Sequence, residues 1–238
     1  NELNIKDIKI DKFNAYFKRR IKGEPISKIF NNKEFWSLNF YTNQDVLDPR
    51  PETELIIEGL MKYRKEYKNF FSICDFGTGS GCVIISILNE YKLATGVGID
   101  ISKEAIAVAK KNSSNHNLNK RLNLINDDWK NINEKFDIIV SNPPYISIND
   151  YAKLEKEVIN FDPKISLIGG EDGFEKIYEI APIVYRCMKN TSIFLLEIGY
   201  SQRLKTEKIF FQNDMKLIDI LYDLQGIERV LIFQKKSN

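Results

Sequence analysis

A chain of 238 residues, 43% of them hydrophobic, is long enough to bury one good core and a small appendage. Its 35 basic and 33 acidic side chains are interspersed and leave a net charge of +2, which weighs against a dedicated nucleic-acid surface. No apolar run approaches the ~20 residues of a membrane span, and Asn1 begins no signal-peptide pattern, so the expected location is cytoplasmic, away from any membrane.

In chain order, the pattern predicts a short helix over about 11–22, a hairpin over about 33–47 and a helix over about 51–67. Pro51 suits the first turn of that last helix, where Glu52 and Glu54 would complement the helix dipole. Phe71-Ser72-Ile73-Cys74-Asp75-Phe76 then reads as a buried strand, and it feeds Gly77-Thr78-Gly79-Ser80-Gly81 and a helix over about 81–91. Strand, glycine loop and helix in that order suit a nucleotide at a helix N-terminus, because glycine lets the backbone turn tightly and approach a ligand. The loop alone is a weak sign, since NAD enzymes carry a similar one. Its Gly-x-Gly-x-Gly spacing nevertheless departs from the Gly-x-Gly-x-x-Gly dinucleotide fingerprint.

A second strand, about 95–100, ends at Asp100, placed either to accept hydrogen bonds from ribose hydroxyls or to cap the helix that follows, a role for which Ser102 competes. After that helix, about 102–114, His116 stands among Asn115, Asn117 and Asn119 as a solvated helix-end residue. As the only histidine it supports neither a Ser-His-Asp triad nor a multi-histidine metal site, and no metal is expected. A third strand runs over about 122–126 and a fourth over about 136–141.

The fourth strand runs into Ser141-Asn142-Pro143-Pro144-Tyr145. Consecutive prolines fix φ, remove two backbone donors and push the residues before them toward extended conformations, so carbonyls there can face a ligand. The side-chain oxygen of Asn142 and the carbonyl of Pro143 could each accept one hydrogen of a planar NH2 group, with the Tyr145 ring against its flat face. Glutamine, asparagine, adenine, guanine and cytosine all fit such a pocket. The plain alternative is a proline-rich turn leaving a buried strand. Further strands follow over about 192–198, 215–223 and 228–235. Leu224-Gln225-Gly226-Ile227 is too short for a parallel crossover, so the last two should pair antiparallel. Glu197, ending the fifth strand, either faces the site or caps a helix. Cys74, Cys82 and Cys187 lie in apolar contexts without metal-type spacing and read as buried free thiols.

Together, the glycine loop, the acid after the second strand and the Asn-Pro-Pro-Tyr after the fourth resemble Rossmann-like S-adenosylmethionine-dependent methyltransferases; a dehydrogenase has no use for an amine-holding Asn-Pro-Pro-Tyr. Arg19–Ile26, Glu34–Phe40, Val46–Glu54, Asp128-Trp129, Pro163–Gly173, Leu195–Gly199 and Gly226–Val230 further resemble the protein glutamine methyltransferase family that modifies class 1 peptide release factors. The likeness runs over nearly the whole chain. Its most specific piece is Pro49-Arg50-Pro51-Glu52-Thr53-Glu54, which nucleic-acid amine methyltransferases generally lack.

The resemblance implies an α/β fold with a seven-stranded, mostly parallel sheet whose last strand is antiparallel, preceded by a short N-terminal helix and a β-hairpin. It implies that residues 1–50 are a remnant of a substrate-recognition domain with its linking hairpin, and that residues 51–238 form the catalytic methyltransferase domain. Family members usually carry a helical N-terminal domain of roughly eighty residues, within the ordinary domain size range. About thirty stand here and the chain starts at Asn1, so a fragment, or a form lacking most of that domain, is expected. The implied cofactor is S-adenosylmethionine, bound by Gly77, Thr78, Gly79, Ser80, Gly81, Asp100, Trp129 and Asn142. Trp129 holds the adenine-side position, although a tryptophan after a strand also serves to plug a sheet edge.

The implied reaction is direct methyl transfer to the side-chain amide nitrogen of the glutamine in a release factor's Gly-Gly-Gln motif, without direct nucleic-acid binding. Asn142, Pro143 and Tyr145 would be catalytic, and Asn142, Pro143, Pro144, Tyr145, Arg50, Pro51 and Glu52 would bind substrate. The alternative is methylation of an exocyclic amine on adenine or guanine in RNA or DNA, which uses the same acceptor pair.

Overall fold

The computed structural model describes residues 10–64 and 70–236. Helices α1 (Ile10–Ile21) and α2 (Ile26–Phe30) lead into a hairpin of β1 (Lys33–Phe35) and β2 (Leu38–Phe40). The hairpin is shorter than the expected 33–47 because Trp36 and Ser37, both at positive φ (51° and 55°), close it as a two-residue turn. The helix expected over 51–67 begins as a 3-10 turn at Pro51–Thr53 and continues as α3 (Glu54–Tyr63); residues 65–67 lie outside the described residues.

The main sheet contains β3 (Ser72–Phe76), β4 (Thr95–Asp100), β5 (Leu122–Asn126), β6 (Phe136–Ser141), β7 (Met188–Glu197), β8 (Met215–Tyr222) and β9 (Glu228–Lys235). Its order is β5-β4-β3-β6-β7-β9-β8. Pairing is parallel from β5 through β7, whereas β9 runs antiparallel to both β7 and β8. The final strand of the sequence is therefore threaded between its two predecessors, and β8 forms the edge. α4 (Cys82–Glu90) and α5 (Lys103–Asn115) follow the first two strands, and the short α6 (Ile148–Tyr151) and α7 (Lys156–Phe161) follow β6.

α8 (Glu175–Cys187) and α9 (Arg203–Gln212) have no counterpart in the sequence reading. Pro182 interrupts the first of these, yet Ile177, Ile180, Ala181 and Val184 keep a helical spacing and are all buried. Because α8 passes directly into β7, that strand begins at Met188, four residues before the expected start at 192.

Apolar layers cover both faces of the sheet, so the central strands carry apolar residues on both sides. On one face Ile73, Ile138, Val140 and Leu195 pack with residues of α3 and α4 such as Leu60 and Ile84. On the other, Phe76, Ile139, Phe194 and Leu196 pack with Ile180, Val184 and Phe210 of α8 and α9. The period-2 alternation of Ile138-Ile139-Val140 between the two layers follows from strand geometry. Cys74, Cys82 and Cys187 are buried and unpaired. No helix among the described residues is long and apolar enough to cross a membrane.

Candidate active site

The carboxyl ends of β3, β4, β6 and β7 converge on one edge of the sheet, where open α/β sheets bind ligands. The glycine loop leaves β3 with the backbone N–H groups of Gly77 and Thr78 donating to Ile99 O at 2.9 and 3.0 Å. Gly81 caps α4 in the left-handed region at φ 80°, and Gly79 (φ 53°) has nothing within 4 Å of where a Cβ would stand. That open backbone cradle is what a close-approaching ligand requires.

Asp100 Oδ2 accepts from Gly79 N and its Oδ1 from Ser102 N, both at 2.9 Å. Ser102, whose Oγ accepts from Ala105 N at 3.1 Å, is the cap of α5. Asp100 is thus left to brace the glycine loop and face the cavity. Burial raises its pKa and the two backbone donors oppose the rise. Asp75, behind the loop, accepts from the Thr78 hydroxyl at 2.7 Å, and its burial pushes it up to about 7.

A cavity of about 210 Å³ is lined by the glycine loop, Asp100, Asp128, Trp129, Pro144 and Asn142. Thr78 and Ser80 line it while nearly buried. Trp129 opens a 3-10 turn capped by Asp128, and its ring lies 6.4 Å from that of Phe76. It packs on the sheet and lines the cavity at once; its buried Nε1 has no partner in the structure. An open glycine cradle, a braced carboxylate and an indole with an unsatisfied donor fit a nucleoside with a flat base and a vicinal diol.

A second cavity, about 250 Å³, adjoins the first, and Asn142, Arg50, Leu47 and Ser166 line both. Pro143, Tyr145, Glu52, Glu197 and Arg229 line only the second. Asn142 Nδ2 donates to Thr53 Oγ1 at 3.1 Å, which leaves its side-chain oxygen as an acceptor. The Tyr145 hydroxyl donates to Glu197 Oε1 at 3.2 Å. Glu197 is 2% exposed and its Oε2 lacks a partner in hydrogen-bond geometry. Burial pushes it up to about 7, against the adjoining Thr53 and Tyr145 hydroxyls and the Arg229 guanidinium. Burial and the Glu197 charge together raise the Tyr145 phenol, which stays protonated as a donor.

Every residue expected at the site lines one of the two cavities except Gly81, which caps α4 behind the loop, and Pro51, which is exposed. Glu54 turns away and accepts from Trp36 N at 2.7 Å, holding the hairpin. Sequence reasoning left Glu197 open, and it faces the site. Thr53, Arg229 and Asp75 were missed. Thr53 carried a signal in its place within Pro-Arg-Pro-Glu-Thr-Glu, and Arg229, on the antiparallel strand, in its place within Gly226–Val230. His116, at the end of α5, lies with Nε2 3.0 Å from Asn39 O.

A family model described as a methyltransferase domain matches residues 68–219. A release factor glutamine methyltransferase of Caulobacter vibrioides is 39% identical over 92% of this chain and 76% of its own. A protein of Rickettsia prowazekii named bifunctional methyltransferase is 37% identical over 95% of this chain, which spans 48% of that relative. Among solved structures, a methyltransferase from Pyrococcus furiosus aligns over 94% of this chain and 100% of its own with a TM-score of 0.62 and 16% identity, a likeness of fold.

Proposed function

This chain belongs to the release factor glutamine methyltransferase family, and on that premise we propose that it methylates the side-chain amide nitrogen of the glutamine in the Gly-Gly-Gln motif of class 1 peptide release factors. S-adenosylmethionine, when bound, supplies an electrophilic sulfonium methyl group. Residues Gly77 to Gly81 would hold its methionine part, Asp100 its ribose and Trp129 its base. Arg50, Glu52, Pro144 and Tyr145 would shape the pocket for the glutamine, with the Tyr145 ring against the flat amide.

The observation that supports this reading best is the state of Asn142. With Nδ2 committed to Thr53, its oxygen is left to accept, and the residue stands in the wall shared by the two cavities. An amide nitrogen is a weak nucleophile because its lone pair is delocalised. Two N–H groups held by Asn142 Oδ1 and the Pro143 carbonyl fix the amide in place, and both acceptor dipoles favour a nitrogen that becomes positive. The methylated amide is a strong acid, so its proton leaves after transfer without an early general base. On the same reading, residues 1–50 serve substrate recognition and residues 51–238 catalysis.

Mass spectrometry of a release factor incubated with this protein and labelled S-adenosylmethionine tests the proposal. A single methyl on the glutamine is expected, and none when that glutamine is replaced by glutamate. Labelling of added RNA or DNA at a comparable rate would support exocyclic-amine methylation in its place.

A further inference from the structure

The turn that carries Asn142 is poorly equipped to hold itself. Pro143 and Pro144 have no backbone N–H to donate, so the feature that leaves carbonyls free for a ligand also removes two bonds that could keep the segment in shape. It is held from outside, at both ends. Ser141, the last residue of β6, donates its hydroxyl to Phe76 O at 2.8 Å. Beyond the prolines, Ile146 N donates to Leu167 O at 3.0 Å and Ile146 O accepts from Gly169 N at 2.9 Å.

Between those anchors, the Tyr145 carbonyl accepts from Gln202 Nε2 at 3.0 Å. The same NH2 group donates to Gly173 O at 3.3 Å, and Gln202 Oε1 accepts from Gly199 N at 2.8 Å. All three partners are backbone groups of fixed polarity, so the amide has one orientation. Gln202 is 8% exposed, immediately precedes α9 and lines neither cavity. Glycine makes the room for it. A Cβ at Gly199 would stand 2.9 Å from Tyr145 Cδ2 and 3.0 Å from Gln202 Oε1, and one at Gly173 (φ 80°) would run into Tyr145 O. Gly173 and Gly199 end the stretches Pro163–Gly173 and Leu195–Gly199, so two separate segments of family likeness meet on one carbonyl.

We propose that Gln202 is a positioning residue for the reaction: by clasping the Tyr145 carbonyl between the Gly173 and Gly199 segments, it fixes the turn in the shape that presents Asn142 Oδ1, the Pro143 carbonyl and the Tyr145 ring to the substrate amide. The inference rests on the functional reading above and adds to it what holds the acceptor pair still. Gln202 itself touches no reacting atom. A planar NH2 group must meet two acceptors at once, and a misplacement of about 1 Å can cost about 10²-fold in rate. The prolines restrict φ inside the turn but leave the placing of the turn as a whole to its anchors.

Gln202→Met keeps the volume and removes all three side-chain bonds. The side-chain 15N amide signal of Asn142, identified by its loss in Asn142→Ala, reads the turn in the protein without added cofactor. It is expected to be single and sharp in the unsubstituted chain and broadened or split in Gln202→Met, while the methyl signals of Ile84 and Met215, one from each apolar layer, stay in place. With a release factor as substrate, kcat per cofactor-binding molecule should fall about tenfold or more, and KM should change less than kcat does. S-adenosylmethionine affinity should also move far less, because the glycine loop, Asp100 and Trp129 stand on other segments of the first cavity. Should Gln202→Met not fold, Gln202→Glu, which retains an acceptor for Gly199 N but as a carboxylate lacks both donors, is read in the same way. A sharp, unshifted Asn142 signal or an undiminished kcat in the variant that folds overturns the proposal. An unsubstituted chain that methylates no release factor removes the functional reading, and the Asn142 signal then decides by itself whether Gln202 holds the turn. An active unsubstituted chain whose Asn142 signal and kcat both ignore Gln202 does the reverse.

Discussion

Arg50 Nη2 meets Asp162 Oδ2 at 2.6 Å across 112 residues of chain. The same carboxylate lies 3.4 Å from Lys28 Nζ and accepts from the Asp48 backbone N–H at 3.4 Å, so one side chain after α7 fastens two early segments beside the cavities. Lys28 is 3% exposed and is further satisfied by Asp48 at 3.0 Å and by the carbonyls of Asn43 and Val46. Burial tends to raise Asp48, but Lys28 and the Ser27 and Thr42 hydroxyls outweigh it and hold its pKa below the usual carboxylate range.

Because this cluster is withdrawn from water, removing one of its charges leaves the others uncompensated. Asp162→Asn is expected to destabilise the fold by about 3 kcal/mol, the scale for breaking a buried ion pair. Urea unfolding checks it, and an unchanged midpoint would show that the cluster adds nothing to stability.

Asp100 braces the glycine loop and faces the first cavity. Charge-assisted hydrogen bonds are worth roughly 1.5–3 kcal/mol, so Asp100→Ala should weaken S-adenosylmethionine binding about tenfold or more while the fold survives. Calorimetric titration measures this. Undiminished affinity would remove Asp100 from the binding site.

Asn142→Ala deletes the acceptor shared by the two cavities. Turnover should fall by about 10²-fold or more, the scale of losing one preorganised group in a catalytic site, while cofactor affinity moves far less. Thermal melts and single-turnover rates on one preparation separate the outcomes. A stable, cofactor-binding, inactive protein is expected, and an unstable protein with normal turnover per folded molecule would make Asn142 a turn residue only.

Glu197 has its folded pKa raised from 4.5 to about 7, chiefly by burial. For an acid shifted upward, the stability contribution is fully present below the unfolded pKa and is lost as pH rises through the folded one. Between pH 4.5 and 7 the carboxyl therefore withdraws stability, by roughly 3 kcal/mol for a shift of this size. Glu197→Gln should flatten that decline, so its stability relative to the unsubstituted chain improves from pH 4 to pH 8. Denaturant melts across that range provide the measurement, and parallel curves for the two proteins would contradict it.

The strand, glycine loop and helix at Phe71–Leu88, the acid at Asp100 and the turn at Asn142 were legible in sequence because each is a local pattern: a period, a φ requirement or a proline pair. The antiparallel pairing of β8 and β9 was legible for the same reason, from the shortness of Leu224–Ile227. Local signals did not reveal that β9 lies between β7 and β8, since that register is selected by burying Leu231 and Phe233 on one layer and Val230 and Ile232 on the other. Nor does any spacing announce that Lys28 is buried. A lysine normally reads as solvated, and only the assembled carboxylates and carbonyls around it offset its desolvation. The hydrogen bond between Asn142 and Thr53 belongs to the same class. The two stand 89 residues apart on different elements, so the bond exists only after the sheet and the Pro51 turn have docked, because a side-chain hydrogen bond is decided by what stands nearest in space, not in sequence.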